Sequence, residues 1–164
     1  MTRLVVAGIS GSGKSTVGAA LAERLGVPFC DGDDLHPPAN VAKMRSGTPL
    51  TDADRWPWLD AVGQWLASYD AGVVACSALR RTYRDRLRHA VPDLVVVLLD
   101  GDPALVRERQ ATRGQHFMPT SLLDSQLATF EPLAPDEGGI TLDVADPVEV
   151  LVEQVASRVV GGRG

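Results

Sequence analysis

Gly8-Ile9-Ser10-Gly11-Ser12-Gly13-Lys14-Ser15 follows the spacing G-x-x-x-x-G-K-[ST]. Glycines at these places let the backbone wrap closely and aim N–H groups at anionic oxygens. A helix starting at Lys14 would add the partial positive charge of its N-terminus. The pattern therefore reads as a cradle for the phosphates of a nucleoside triphosphate, built from Gly8, Ser10, Gly11, Ser12, Gly13, Lys14, Ser15 and Thr16. Lys14 is placed for the β- and γ-phosphates, and the Ser15 hydroxyl for a magnesium ion. A glycine-rich turn without function would not need a strand before it and a helix behind it.

Further along, Phe29-Cys30-Asp31-Gly32-Asp33-Asp34 ends a short apolar run with carboxylates. Carboxylates at the carboxyl end of a strand beside the cradle face the crevice where such sheets bind ligands. Asp31 suits the metal shell, and Asp33 suits the task of orienting or deprotonating an acceptor hydroxyl. An Asp-Gly turn made for backbone reasons would also describe Asp31-Gly32. His36 stands alone in Leu35-His36-Pro37-Pro38, and a lone histidine is more often structural than functional. Arg80, Arg81, Arg84, Arg86 and Arg88 crowd the start of a helix, where cations oppose the dipole. An anionic substrate or a solvated arginine face would each account for them, and Asp85 answers only part of the charge. Arg109 and Arg113 precede Gly114 and suit a lid closing over the triphosphate near residues 109–120.

These groups need a scaffold, and the apolar pattern supplies one. Short continuous apolar runs (4–8, 27–30, 73–76, 94–99 and 140–144) alternate with helical periods at 14–25, 51–69, 82–90 and 121–130. A short helix is expected at 41–46, and Asp-Pro pairs at 102–103 and 146–147 mark two more helix starts. Fully apolar strands separated by helices imply a parallel sheet covered on both faces, a three-layer α/β fold in a single domain over 1–164. At 164 residues and 45% hydrophobic, the chain can bury a core without staples. Two cysteines make neither a disulfide framework nor a metal spacing.

No apolar run is long enough for a membrane helix, and the N-terminus runs directly into a strand, so a cytoplasmic protein without a membrane partner is expected. The net charge of −5 argues against a nucleic-acid partner. A guanine-specific switch would carry an Asn-Lys-x-Asp loop, whereas the sole asparagine is Asn40, in Asn40-Val41-Ala42-Lys43. Motor ATPases need more chain. A small-molecule kinase using ATP and Mg2+ is the economical reading, with an RNA- or protein-gripping arginine helix as the alternative from another class.

Longer segments carry a resemblance. Asp31-Gly32-Asp33-Asp34-Leu35-His36-Pro37, Lys43-Met44, Gly47-Thr48-Pro49-Leu50, Asp52-Ala53-Asp54-Arg55-Trp56-Pro57-Trp58-Leu59, Cys76-Ser77-Ala78-Leu79-Arg80-Arg81 and His116-Phe117-Met118-Pro119 resemble the gluconate kinase family. The resemblance covers almost the whole chain. It implies a P-loop kinase fold with a five-stranded parallel sheet in the order 2-3-1-4-5, a small lid and a homodimer. It further implies ATP-dependent phosphorylation of D-gluconate to 6-phosphogluconate, with a substrate-binding insertion near 33–60. Carried over residue by residue, Asp33 would contact the acceptor hydroxyl, and His36, Lys43, Arg55 and Arg84 would line the gluconate pocket. Arg80-Arg81 departs from the family pattern, which has Lys at one of these positions. A kinase for another sugar acid, or a shikimate-like polyol acid, is the alternative within the same chemistry.

Overall fold

In the computed structural model the described residues are 2–9, 12–102, 104–106, 108 and 120–161, excepting the side chains of 120–123 and 160–161. Five strands, β1 (Arg3–Ala7), β2 (Phe29–Asp31), β3 (Gly72–Ala75), β4 (Val95–Asp100) and β5 (Ile140–Asp143), form one sheet. All its pairings are parallel and its order is β2-β3-β1-β4-β5, as the resemblance implied. Helices among the described residues include α1 (Lys14–Leu25), α2 (Pro38–Arg45), α3 (Asp52–Ala67), α4 (Arg81–Ala90), α5 (Thr120–Thr129) and α6 (Val148–Gly161).

Alternation along β1 divides the core in two. Leu4 and Val6 join a cluster with Val17 and Leu21 of α1 and Leu151 and Val155 of α6. Val5 and Ala7 join Trp58, Leu59, Val62 and Leu66 of α3 and Leu87 of α4 on the opposite face. Successive strand residues point to opposite faces, so a strand buried on both must be apolar throughout. The same strand thus organises three layers.

Most boundaries shift by a residue or two, and two of the shifts have clear local causes. The Val27 N–H is used in closing α1, donating to the Ala22 carbonyl at 3.0 Å, and Pro28 has no N–H to give a ladder. So β2 starts only at Phe29. The short helix expected at 41–46 begins earlier, because Pro38 occupies its first position, where a missing N–H costs nothing. At α3 the capping box is complete. The Asp54 N–H donates to Thr51 Oγ1 at 3.2 Å, and the Thr51 N–H donates to Asp54 Oδ2 at 2.8 Å.

Strand order fixes where a site can lie. β1 sits between β3 and β4, so the chain crosses to opposite sides of β1 and leaves a crevice at the carboxyl ends of the strands. The cradle follows β1, the Asp31-to-Asp34 segment follows β2, and residues 76–80 follow β3.

Candidate active site

The cradle begins at Gly8, with φ 153°, where an added Cβ would lie 2.7 Å from Ser12 Oγ and 3.0 Å from the Leu99 carbonyl oxygen. No side chain fits there. Gly13, at φ 91°, is the N-cap of α1 in the left-handed region that glycine enters without strain. Two enclosed polar groups suit this cradle to an anion. Ser12 is 3% exposed, and its hydroxyl has no hydrogen-bond partner among the described residues. Lys14 is only 9% exposed and no carboxylate pairs with it among those residues. An enclosed ammonium without a counter-ion is costly unless an anion fills the cradle. Thr16 lies exposed in the first turn of α1, while Ser10 and Gly11 fall outside the described residues.

Beside Lys14, the Ser15 hydroxyl donates to Asp31 Oδ2 at 2.8 Å. The other oxygen, Asp31 Oδ1, accepts the Asp33 N–H at 3.0 Å and caps the 3-10 turn Gly32–Leu35. No group of three or more metal-ligating side chains is assembled among the described residues. One hydroxyl and one carboxylate oxygen, completed by phosphates and water, fit the way magnesium is held in phosphoryl-transfer sites.

On the acceptor side the 3-10 turn presents Asp33, whose side chain is 55% exposed, toward His36. The His36 ring is 3% exposed and stacks on Trp58 at 4.0 Å and 15°. Trp58 is itself pinned by its Nε1–H, which donates to the Gly32 carbonyl at 2.8 Å. Burial is the largest influence on the imidazole and lowers its pKa. The Asp33 charge raises it, the Arg55 charge lowers it, and the result is about 4. His36 is therefore neutral near pH 7. Arg55 donates to the Tyr83 hydroxyl at 2.9 Å, and that hydroxyl donates to Asp52 Oδ1 at 2.6 Å. Its guanidinium also lies 5.1 Å from the centre of the Tyr83 ring. Arg55 also pairs with Asp52 Oδ1 at 3.4 Å, which holds this cation where its charge acts on His36.

Two of the expected pocket cations are engaged elsewhere. Lys43 Nζ donates to Asp54 Oδ2 at 2.7 Å, and this bond, with the Thr51 N–H, holds the Asp54 carboxyl down to about 2. Arg84 requires a correction. Its side chain is fully buried, and every guanidinium nitrogen is bound to protein. Nε and Nη2 grip Glu137 at 2.7 and 3.0 Å, Nη1 reaches the Ala78 and Glu131 carbonyls at 3.1 Å, and Nη2 reaches the Pro132 carbonyl at 3.2 Å. With no free donor and no exposed edge, it has nothing left to offer a substrate carboxylate.

The arginine crowd on α4 is likewise answered by carboxylates, from other elements and from Asp85 of α4 itself. Arg81 pairs with Asp136, Arg86 with Asp60, and Arg88 with Asp85 and Glu137. Arg80, exposed at the N-cap of α4, makes no ion pair among the described residues. It acts electrostatically on Tyr83, the residue that Arg55 overlies. Arg109 and Arg113, with all of the expected lid at 109–120 but Thr120, lie outside the described residues. Asn40, Trp58, Tyr83 and Glu137 escaped the sequence reading, since each matters only through a partner brought close by folding.

A parallel sheet of this order, with an anion cradle after β1 and carboxylates after β2, is the arrangement of a P-loop kinase. A family model described as an AAA domain matches residues 4–133. The gluconokinase of Gluconobacter oxydans (strain 621H) is 46% identical over 156 residues, covering 93% of this chain and 88% of that protein. A crystal structure of a gluconokinase from Sinorhizobium meliloti 1021 superposes with a TM-score of 0.87 at 46% identity, covering 99% of this chain and 98% of the other. An unliganded sugar kinase from Janibacter sp. HTCC2649 gives 0.91 at 46% identity, covering 96% and 94%. The chain belongs to that AAA family and, within it, to the gluconokinases.

Proposed function

We propose that this chain transfers the γ-phosphoryl group of ATP to the 6-hydroxyl of D-gluconate, with Mg2+, giving 6-phosphogluconate and ADP. The observation that carries the reading is the pairing of Lys14 and the Ser15–Asp31 couple with the group of Asp33, His36 and Arg55. Phosphate chemistry and a polar acceptor pocket meet at the carboxyl ends of β1 and β2, on either side of β3.

In the reaction the acceptor oxygen bonds to the γ-phosphorus as the bridging bond to the β-phosphate breaks. The hydroxyl proton passes to the Asp33 carboxylate and then to solvent. Lys14 offsets charge on the β- and γ-phosphates, which preorganised cations do well in an enclosed site. Ser15 and Asp31 would hold the magnesium ion, which would neutralise phosphate charge. Arg55 supplies the cation for the substrate carboxylate, since a guanidinium grips carboxylates through two parallel bonds. With Arg84 sealed away, Arg80 is the second cation of this pocket. Residues 33–60 form the acceptor side, and a cytoplasmic homodimer is the form in which we place the enzyme.

The test is ADP release over a panel of D-gluconate, shikimate, glucose, glycerate and AMP. Gluconate should be preferred, and glucose, which lacks the carboxylate, should be slower by orders of magnitude because buried polar groups would be left unpaired. Arg55→Ala should raise the gluconate KM far more than the ATP KM. A clear preference for another acceptor would overturn the substrate while leaving the kinase in place.

A further inference from the structure

Asn40 is the chain's sole asparagine, and it is 3% exposed in the first turn of α2. Its side-chain nitrogen lies 2.9 Å from the Asp54 carbonyl oxygen and 3.2 Å from His36 Nδ1. A carbonyl oxygen only accepts, so the amide must turn its NH2 group, and not its oxygen, to Asp54. The second amide proton then faces the imidazole, and Nδ1 must accept it. A neutral imidazole that accepts at Nδ1 carries its own proton on Nε2. The buried ring is neutral near pH 7, as shown above, so this tautomer is the working form.

The other edge of the ring faces Asp33. Nε2 and Asp33 Oδ1 are 4.0 Å apart, too far for a direct hydrogen bond. One oxygen atom fits between them. Two bonds of ordinary length, about 2.8 Å each, would span that gap with an angle of about 90° at the shared oxygen. Such an oxygen must accept from the imidazole and donate to the carboxylate. A hydroxyl does both and keeps a lone pair free, whereas a carboxylate or a phosphate cannot donate. The stacked Trp58 ring and its bond to Gly32 keep the imidazole plane from turning out of this line.

We propose that Asn40 is a positioning residue that locks His36 as an Nε2–H donor, so that His36 and Asp33 together select and orient one substrate hydroxyl. This rests on the proposed gluconate reading for the identity of the substrate, but the tautomer itself does not. With Nδ1–H instead, the unprotonated Nε2 would compete with Asp33 for the same hydroxyl proton and offer nothing to its lone pair. The arrangement would then lose its preference for a hydroxyl. Asn40 also ties α2 to the first turn of α3, and a purely scaffolding role is the rival explanation.

Histidine-selective 15N–1H two-bond correlation spectra of the intact protein near pH 7 should show His36 as the Nε2–H form, His36→Gln serving to assign it among three histidines. Asn40→Leu should convert it to a mixture or to the Nδ1–H form. The same variant should raise the gluconate KM by about tenfold, the effect of a lost neutral hydrogen bond, with the ATP KM unchanged. His36→Gln, whose amide nitrogen reaches the Nε2 position, should retain most gluconate affinity, and adding Asn40→Leu to it should change nothing further. Three results would each overturn the proposal: an Nδ1–H form in the unmodified protein; a tautomer and KM indifferent to Asn40→Leu; or equal losses from Asn40→Leu with histidine and with glutamine at position 36. Should Asn40→Leu fail to fold, the spectrum of the unmodified protein still decides. Should gluconate prove not to be the substrate, that spectrum is unaffected, so the two failures read separately.

Discussion

Replacing Arg84 by methionine separates a structural arginine from a substrate-binding one. The substitution removes five hydrogen bonds and leaves three carbonyl oxygens, of Ala78, Glu131 and Pro132, without their guanidinium donor. The Glu137 carboxylate stays buried with only the Ala134 N–H at 2.7 Å and Arg88 Nη2 at 3.0 Å. Breaking a buried pair from one side costs about 3–5 kcal/mol, a large part of the roughly 5–15 kcal/mol that holds a domain folded. The depressed Glu137 carboxyl points to a similar size for all of its bonds taken together. Burial pushes the Glu137 carboxyl up, but bonds from Arg84, the Ala134 N–H and Arg88 outweigh it and bring it from 4.5 to about 2. At ~1.4 kcal/mol for each tenfold change in proton affinity, that is about 3 kcal/mol. Because the folded value is depressed, this stability is present above about pH 4.5 and disappears as the pH falls toward 2. Urea unfolding followed by tryptophan fluorescence should show Arg84→Met losing about 3–5 kcal/mol at pH 7, a Tm fall of very roughly 6–20 °C. The variant's stability should also depend less on pH below 4.5 than the parent's. The ratio of gluconate KM to ATP KM should not move. A variant that kept its stability within about 1 kcal/mol while its gluconate KM alone rose tenfold would return Arg84 to the pocket and refute this reasoning.

Three further outcomes are expected. Lys14→Ala should abolish phosphoryl transfer in a folded protein, checked by ADP release beside a thermal melt; activity within tenfold of the parent would remove Lys14 from the phosphate site. Asp33→Asn keeps shape and loses the base, so kcat should fall about 10²–10⁴-fold with ATP affinity little changed, as titration with an ATP analogue would show. Thr51→Ala removes the N-cap of α3 and should cost about 1 kcal/mol, a loss of about 2–4 °C by calorimetry. An unchanged Tm would mean that the bond from the backbone N–H at 51 to Asp54 holds that end without the hydroxyl.

What could be read from the sequence follows from how local each cause is. The bounds of α1 were legible to the residue because a cradle glycine precedes them and Gly26 ends them. The box of Thr51 and Asp54 has an equally local cause, since both partners sit in one turn. Asp31 and Asp33 stood out because a strand end beside a phosphate cradle is a place where carboxylates can do chemistry, and their roles remain proposals. The start of α2 was misplaced because Pro37-Pro38 reads as a break, when its second member begins a helix. Arg84 was misassigned for a different reason. Its partner Glu137 lies 53 residues away, and the Asp136 that pairs with Arg81 lies 55 away. Nothing within a helical turn announces such pairs, so an arginine surplus on α4 looked like a demand for a ligand. The demand was real, and protein carboxylates met most of it.

That internal pairing also bears on the site. The Arg84 guanidinium holds the carbonyl of Ala78, a residue other than glycine at φ 38°, in the left-handed region that costs about 1–2 kcal/mol. The preceding residue, Ser77, offers its carbonyl to the Gly8 N–H at 3.3 Å. The buried pair of Arg84 and Glu137 therefore bears on the phosphate cradle through two consecutive residues of the loop after β3. Without the guanidinium, Ala78 would relax toward a commoner conformation, and the Ser77 carbonyl would shift with it. The disturbance would reach the cradle directly and the acceptor pocket through the shared loop. For this reason the expected signature of Arg84→Met is a parallel change in both KM values atop a loss of stability. A substrate cation such as Arg55 would instead move the gluconate KM alone.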